Sequence, residues 1–246
     1  MRLQNISTAD AERLTGEEIA RHLAHARAEP LPFDPGDDPC LQLFATLYPA
    51  QMDFPLGAHI LEIGCSEADW LDTMKFARPD VHLTGIDWRR CPRPYADLVI
   101  HGDVLQQDFG AETFDAVVLI SALEHIGLGH YANQDRTRDP LSVRGDVETL
   151  ERVWRWLRPG GWVYFDVPWN PDPGWQVQST RCRIYDDRAL ADRLSTRPWR
   201  KSPTWYADQT ETSHLLPRPH RASIHGFYYA AQVWTKPSYT CDEAGA

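Results

Sequence analysis

The stretch LEIGCSEADW, residues 61–70, ends an apolar run in an acid, turns at a glycine and enters a helix-forming segment. The run itself, AHILEIG (58–64), is short and contiguous, as a strand buried on both faces should be. Gly64 permits close approach of backbone to a ligand, and an open α/β sheet binds its ligand beyond the carboxyl ends of its strands, where this turn lies. Ser66 and Ala68 stand where a GxGxxG turn has further glycines. Ser66 can instead cap the following helix, with Asp69 three residues on as a near capping box. Glu62 and Glu67 would repel a pyrophosphate resting on this turn, so a dinucleotide is disfavoured.

Outward from this turn the chain alternates between apolar runs and helical stretches. EADWLDTMKFA (67–77) reads as a helix; VHLTGID (81–87), ADLVIHGD (96–103) and FDAVVLISAL (114–123) read as strands. From Asp146 to Leu157 the residues Val147, Leu150, Val153, Trp154 and Leu157 recur at helical spacing. RPGG (158–161) ends that helix, since Pro159 cannot continue it and Gly160 can take a left-handed cap. WVYFDVPW (162–169) follows as a strand, and CRIYDDRALADRL (182–194) as an extended entry and a helix. WRKSPTWYA (199–207) and IHGFYYAAQVWTK (224–236) complete the set, with a connection too long for a tight hairpin and therefore a candidate binding loop. This order predicts an α/β fold with a mostly parallel sheet covered by helices.

Residues 1–50 are set apart as an N-terminal helical cap, because PLPFDPGDDP (30–39) breaks the helix-forming pattern before CLQLFATLYPAQM resumes it. The main domain spans 51–236, and 237–246 forms a frayed tail. A chain of 246 residues, 42% of them hydrophobic, can bury one substantial core. The net charge of -10 argues against a phosphate backbone or an anionic membrane as partner. No apolar run is long enough to span a bilayer. The five cysteines are scattered without metal-ligand spacing, and they read as reduced thiols in a cytoplasmic protein with no metal.

Taken together, EIGCSEA, GIDW, GDVL, SALEHIGLGHY and LRPGGWVYFDVP resemble, in order and spacing, the class I S-adenosylmethionine-dependent methyltransferases, over roughly residues 57–236. The EHIGLGHY loop is similar to that of a bacterial subgroup acting on small molecules and polysaccharides. The resemblance implies a Rossmann-like seven-stranded sheet of order 3-2-1-4-5-7-6 with strand 7 antiparallel, and S-adenosylmethionine as cofactor. It assigns Asp87 to the ribose hydroxyls, Asp103 to the adenine amino group and Trp88 to the adenine face. Glu62 would receive the ammonium, and Gly64, Cys65, Ser66, Val104, Ser121 and Glu124 complete the cofactor site.

Methyl transfer from a sulfonium is an in-line displacement that needs alignment in a dry pocket, and a base only when the nucleophile must lose a proton. His125, directly after the fourth strand, is the first catalytic candidate, with Glu124 to orient it; His130 and Tyr131 follow in a lid-like loop. Trp169, Trp175 and Trp205, read as lying in irregular segments, are pocket candidates. The expected reaction methylates an oxygen or nitrogen of a small molecule, a natural product or saccharide. The rival is a non-catalytic methyltransferase-like binding protein acting through a partner; oligomeric state stays open, a homo-oligomer included.

Overall fold

The computed structural model describes residues 39–51, 54–66, 70–91, 95–128, 130–131, 134–135, 142–171, 176–178, 182–208, 211–220 and 227–238. Most of the expected tail, 239–246, and most of the expected cap lie outside these residues. Helix α1 (Pro39–Gln51) is followed by β1 (His59–Ile63), α2 (Trp70–Ala77), β2 (His82–Asp87) and β3 (Leu98–His101). Then come β4 (Phe114–Leu119), α3 (Gly145–Trp156), β5 (Leu157–Trp169), β6 (Trp205–Asp208), β7 (Glu211–Leu216) and β8 (Tyr228–Thr235).

The main sheet runs β3-β2-β1-β4-β5-β8-β6-β7. Pairing is parallel from β3 through β5, and β8 is antiparallel to both β5 and β6. With β6 and β8 as the sixth and seventh strands of the expectation, the order is the expected 3-2-1-4-5-7-6. One feature differs: part of the connection read as a binding loop is β7, which pairs antiparallel with β6 and extends the sheet edge. Its polar sequence, ETSHLL, hid it, because an edge strand has no second neighbour and no need of an apolar run.

Alternation along the strands places two hydrophobic clusters on opposite faces. Leu61 and Ile63 of β1, Val117 and Leu119 of β4, and Val163, Phe165 and Val167 of β5 pack with Val147, Leu150, Val153 and Trp156 of α3. Ile60, Ala116, Val118 and Tyr164 pack on the other side with Leu43, Phe44 and Leu47 of α1 and Leu71 and Met74 of α2. Trp156 is fully buried, whereas Trp154 stands at the rim, edge-on to Trp199 at 4.6 Å. The α3 helix ends at Trp156 with Leu157 extended as its C-cap, so Gly160 is not the expected left-handed cap: RPGG lies within β5, where Gly160 takes φ +82°.

Trp169 and Trp205 are strand residues, as the runs WVYFDVPW and WRKSPTWYA read, and their placement in irregular segments is corrected. Trp169 closes β5 because Tyr228 of β8 pairs with it; it is fully buried and its indole N–H donates to Asp187 at 3.0 Å. Trp205 opens β6 opposite Ala231. Trp175 lies outside the described residues. Among the described residues, no helix is long and apolar enough to cross a membrane.

Candidate active site

The carboxyl ends of β1 to β4 meet around one cavity of about 160 Å³. Gly64 forms its floor with φ +90°, and its N–H donates to Ile86 O at 2.8 Å, tying the ends of β1 and β2. A Cβ on Gly64 would lie 2.7 Å from Ala122 Cβ, so both the angle and the space demand glycine.

Asp87 ends β2 and is 4% exposed. Its carboxylate accepts the backbone N–H of Ser66 at 3.1 Å and of Arg89 at 2.7 Å. The Arg89 guanidinium also donates to it, Nε at 3.2 Å and an Nη at 3.3 Å, and Arg89 lines the cavity. Asp103, after β3, accepts the N–H of Leu105 at 3.0 Å and caps the short 3-10 turn Val104–Gln106.

At the end of β4, Ser121 takes φ +45°, an uncommon angle for a residue with a Cβ. Two carboxyls are bonded to Ser121 in this geometry: its N–H donates to Asp166 Oδ1 at 3.0 Å, and its Oγ to Glu124 Oε1 at 3.0 Å. Glu124 and Asp166 are both buried. Burial pushes the Glu124 carboxyl up, opposed by His125; burial and then the Glu124 charge push Asp166 well up. His125 Nε2 lies 3.5 Å from Glu124 Oε1, and the His125 side chain is 23% exposed on the cavity wall.

The loop that begins here is pinched at its neck. Ser142 N donates to Gly127 O at 3.0 Å, and a Cβ on Gly127, whose φ is +81°, would overlap Ser142 O. Arg183, fully buried, donates through its guanidinium to the carbonyls of Ile126 at 2.8 Å, Ser142 at 3.0 Å and Glu124 at 3.2 Å. One cation thus fixes both sides of the neck and the backbone that carries His125.

Of the expected site residues, Gly64, Asp87, Trp88, Asp103, Val104, Ser121 and His125 all line the cavity. Glu62, Cys65 and Glu124 are buried behind it. Glu62 accepts the indole N–H of Trp70, and Ser66 reaches the wall through its bond to Asp87. His130 and Tyr131 form a two-residue strand antiparallel to Gln134–Asp135. Glu67, Ala68 and Asp69 lie outside the described residues.

Sequence reading passed over Cys40 and Leu41 of α1, Arg89, and Tyr229 of β8, which line the same cavity. The segment expected to be a cap therefore closes the pocket of its own chain at α1. Asp166 carried a legible signal, a lone acid inside an apolar strand. Arg183 carried none, since its partners lie 41 to 59 residues away in sequence.

A mostly parallel sheet in this order, with a glycine turn and acids at successive strand ends around one pocket, is the class I methyltransferase fold. A family model described as a methyltransferase domain matches residues 25–220, and the chain belongs to that family. Among solved structures, a Burkholderia thailandensis 1,6-didemethyltoxoflavin-N1-methyltransferase is 18% identical, with 92% of each chain covered and a TM-score of 0.57. The [4+2]-cyclase SpnF is 15% identical over 90% of this chain and 94% of its own, with a TM-score of 0.56. An O-methyltransferase from a Brevibacillus brevis trans-AT polyketide synthase is 12% identical over 80% and 70%, also with a TM-score of 0.56. No curated protein matches the chain.

Proposed function

We propose that this enzyme transfers a methyl group to an oxygen or nitrogen of a small molecule, a natural product or saccharide, bound beside His125. The observation that carries the reading is the shared cavity: Gly64, Asp87 and Asp103 line its cofactor side, while Ser121 and His125 stand at the end of β4. These residues fit the cofactor. A buried carboxylate at the end of β2 can accept two ribose hydroxyls, and the Gly64 turn leaves room for a ligand against backbone. Bound there, S-adenosylmethionine supplies a methyl group activated by a sulfonium.

Asp103 and Trp88 hold the adenine in this reading, by hydrogen bond and by ring contact. The acceptor end is walled by Leu41, Ile120, Ile126 and Leu128, apolar side chains that keep water from the reacting atoms, with Cys40 and Tyr229 as polar contacts. Arg89 is the sole cation on the wall among the described residues, and Asp87 engages it. Neutral or cationic acceptors therefore suit the pocket better than carboxylates or phosphates. The acidic chain and its lack of a basic aromatic stretch support a free small molecule over nucleic acid, in the cytoplasm.

His125 receives the proton of an acceptor hydroxyl. With Nε2 turned toward Glu124, Nδ1 is the nitrogen that takes it, and the carboxylate steadies the imidazolium that results. His130 and Tyr131 belong to the same loop and contribute to covering the acceptor. The expected boundary between a cap over 1–50 and a domain over 51–236 falls within α1, and in this reading α1 covers the acceptor end of the pocket.

Calorimetric titration with S-adenosylmethionine and S-adenosylhomocysteine, with NAD as control, tests the cofactor half; a screen of amine and hydroxyl acceptors by mass shift tests transfer itself. A SpnF-like fold carries a cyclisation, so only the transferred 14-dalton increment decides the reaction. His125→Ala should lower turnover on a hydroxyl acceptor by about 10²-fold or more with cofactor affinity unchanged. Equal loss of both would make His125 a cofactor residue instead.

A further inference from the structure

Four of the five cysteines fall among the described residues, and two of them meet. Cys65 and Cys91, 26 residues apart, place their Sγ atoms 3.5 Å from each other. We propose that Cys65 and Cys91 form an oxidisable dithiol site, and that a disulfide between them restricts the cofactor pocket.

The pairing is produced by the sheet. β1 and β2 run parallel with Ile63 opposite Ile86, so the turns leaving their carboxyl ends lie side by side. Cys65 lies in the first turn directly after Gly64, and Cys91 in the second, two residues after Arg89; Gly64 and Arg89 both line the cavity. The Cys65 thiol lies over Gly85 of β2, where a Cβ would stand 2.7 Å from Sγ. Only glycine at that position leaves the thiol its place facing Cys91.

The two thiols differ in access. Cys65 is fully buried, and burial, with the charge of Glu62 next, holds its proton. Cys91 is half-buried and reaches solvent. Hydrogen peroxide therefore meets Cys91 first: its thiolate sulfur attacks one peroxide oxygen, the O–O bond breaks, and hydroxide leaves and is protonated to water. Cys65 sulfur then attacks the sulfenic sulfur of Cys91, forming S–S and breaking S–O, while the Cys65 proton leaves with the hydroxide as a second water. Two thiols lose two electrons and one peroxide gains them.

A disulfide requires about 2.05 Å between sulfurs. The two sulfurs must therefore close by more than an ångström, and the tether between the turns holds the Trp88–Cys91 segment against the Gly64 turn, narrowing the adenosine end of the cavity. Reduction by a dithiol restores the open spacing. The effect on cofactor rests on the function proposed above; the disulfide itself does not.

The test treats the full-length protein with hydrogen peroxide and maps disulfides by mass spectrometry of a non-reduced digest, alongside calorimetric titration with S-adenosylhomocysteine. The expected result is a Cys65–Cys91 cross-linked peptide, an affinity lower by about tenfold, recovery with dithiothreitol, and no loss in Cys91→Ser. Absence of that peptide in oxidised, folded protein would overturn the site. A cross-link with unchanged affinity, or equal loss in Cys91→Ser, would overturn its control of the pocket. Reduced protein that binds no S-adenosylhomocysteine would refute the cofactor reading instead, and the digest would still decide whether the dithiol site exists.

Discussion

Replacing Arg183 with methionine keeps the aliphatic stem and removes the guanidinium that clamps the neck of the His125 loop. The loss can be worked out group by group. Glu124 O keeps the Arg183 backbone N–H at 3.1 Å, and Asp146 keeps Arg193 at 2.8 and 2.9 Å and the Tyr185 hydroxyl at 2.9 Å. Ser142 and Val143 stand near the surface, where water can replace the lost donor. Ile126 O loses its charged donor and the neck loses its cross-brace, for a cost of about 3 kcal/mol, at the low end for breaking a buried charged contact. For a chain of this size that corresponds to roughly 6 to 12 °C in Tm. Thermal unfolding measures the total, and hydrogen exchange at 124–128 locates it. Arg183→Lys should lose about half as much, because one ammonium cannot span the same set of carbonyls. A fall below about 2 °C in Arg183→Met, with exchange at 124–128 unchanged, would refute the clamp.

Gly64→Ala should abolish measurable cofactor binding and cost about 2 kcal/mol or more of stability, since it adds a left-handed penalty to a contact with Ala122; calorimetry and urea unfolding read the two effects, and wild-type affinity would remove Gly64 from the cofactor floor. Arg89→Ala should tighten S-adenosylhomocysteine by about five- to tenfold, because ribose hydroxyls and the Arg89 guanidinium compete for Asp87; weaker binding would show that Arg89 contacts the cofactor. Asp166→Asn tests the buried acid at the end of the pocket through pH. Its folded-state affinity for a proton is raised, so the wild-type protein is stabilised below the ordinary carboxylate range, near pH 4, and loses that stability as pH rises toward the folded value. The stability difference read from thermal unfolding should therefore move in favour of Asp166→Asn as pH rises above the ordinary carboxylate range, by up to about 1.4 kcal/mol per pH unit, and a pH-independent difference would contradict the burial argument.

The interior of the sheet was legible because buried parallel strands must be contiguous and apolar: HILEI and FDAVVL leave no other reading. The end of α3 ahead of Pro159 was legible because Pro acts locally, whereas the start of β5 at Leu157 was not, since RPGG reads as a turn. Trp169 reads both as the last residue of the strand WVYFDVPW and as a pocket residue of an irregular segment; its pairing with Tyr228, 59 residues on, decides for the strand. Likewise the acids at the ends of β2 and β3 announced themselves by position, but Arg89 on Asp87 and Tyr229 beside Cys40 depend on side-chain packing between elements. A periodicity reports which face is buried, and it carries no information on which polar atom meets which.

That limit explains why the methyl-acceptor end was the harder half to read. The cofactor end is made by backbone at the ends of adjacent strands, so pattern and order determine it. The proposed acceptor end joins α1, the loop after β4 and β8, three elements far apart in sequence that line the cavity together only once the fold is complete. At their junction Ser121 is held at a positive φ by one carboxyl on its N–H and another on its Oγ. Strain at a non-glycine residue persists only where its surroundings over-determine it. Here the surroundings are two buried carboxyls, raised by burial and close enough that the charge on Glu124 raises Asp166 further. Removing either acid should therefore release Ser121 as well as a charge, shifting the loop that carries His125. Single substitutions at Glu124 and Asp166 should accordingly be non-additive with one another in stability, because each breaks the same restraint.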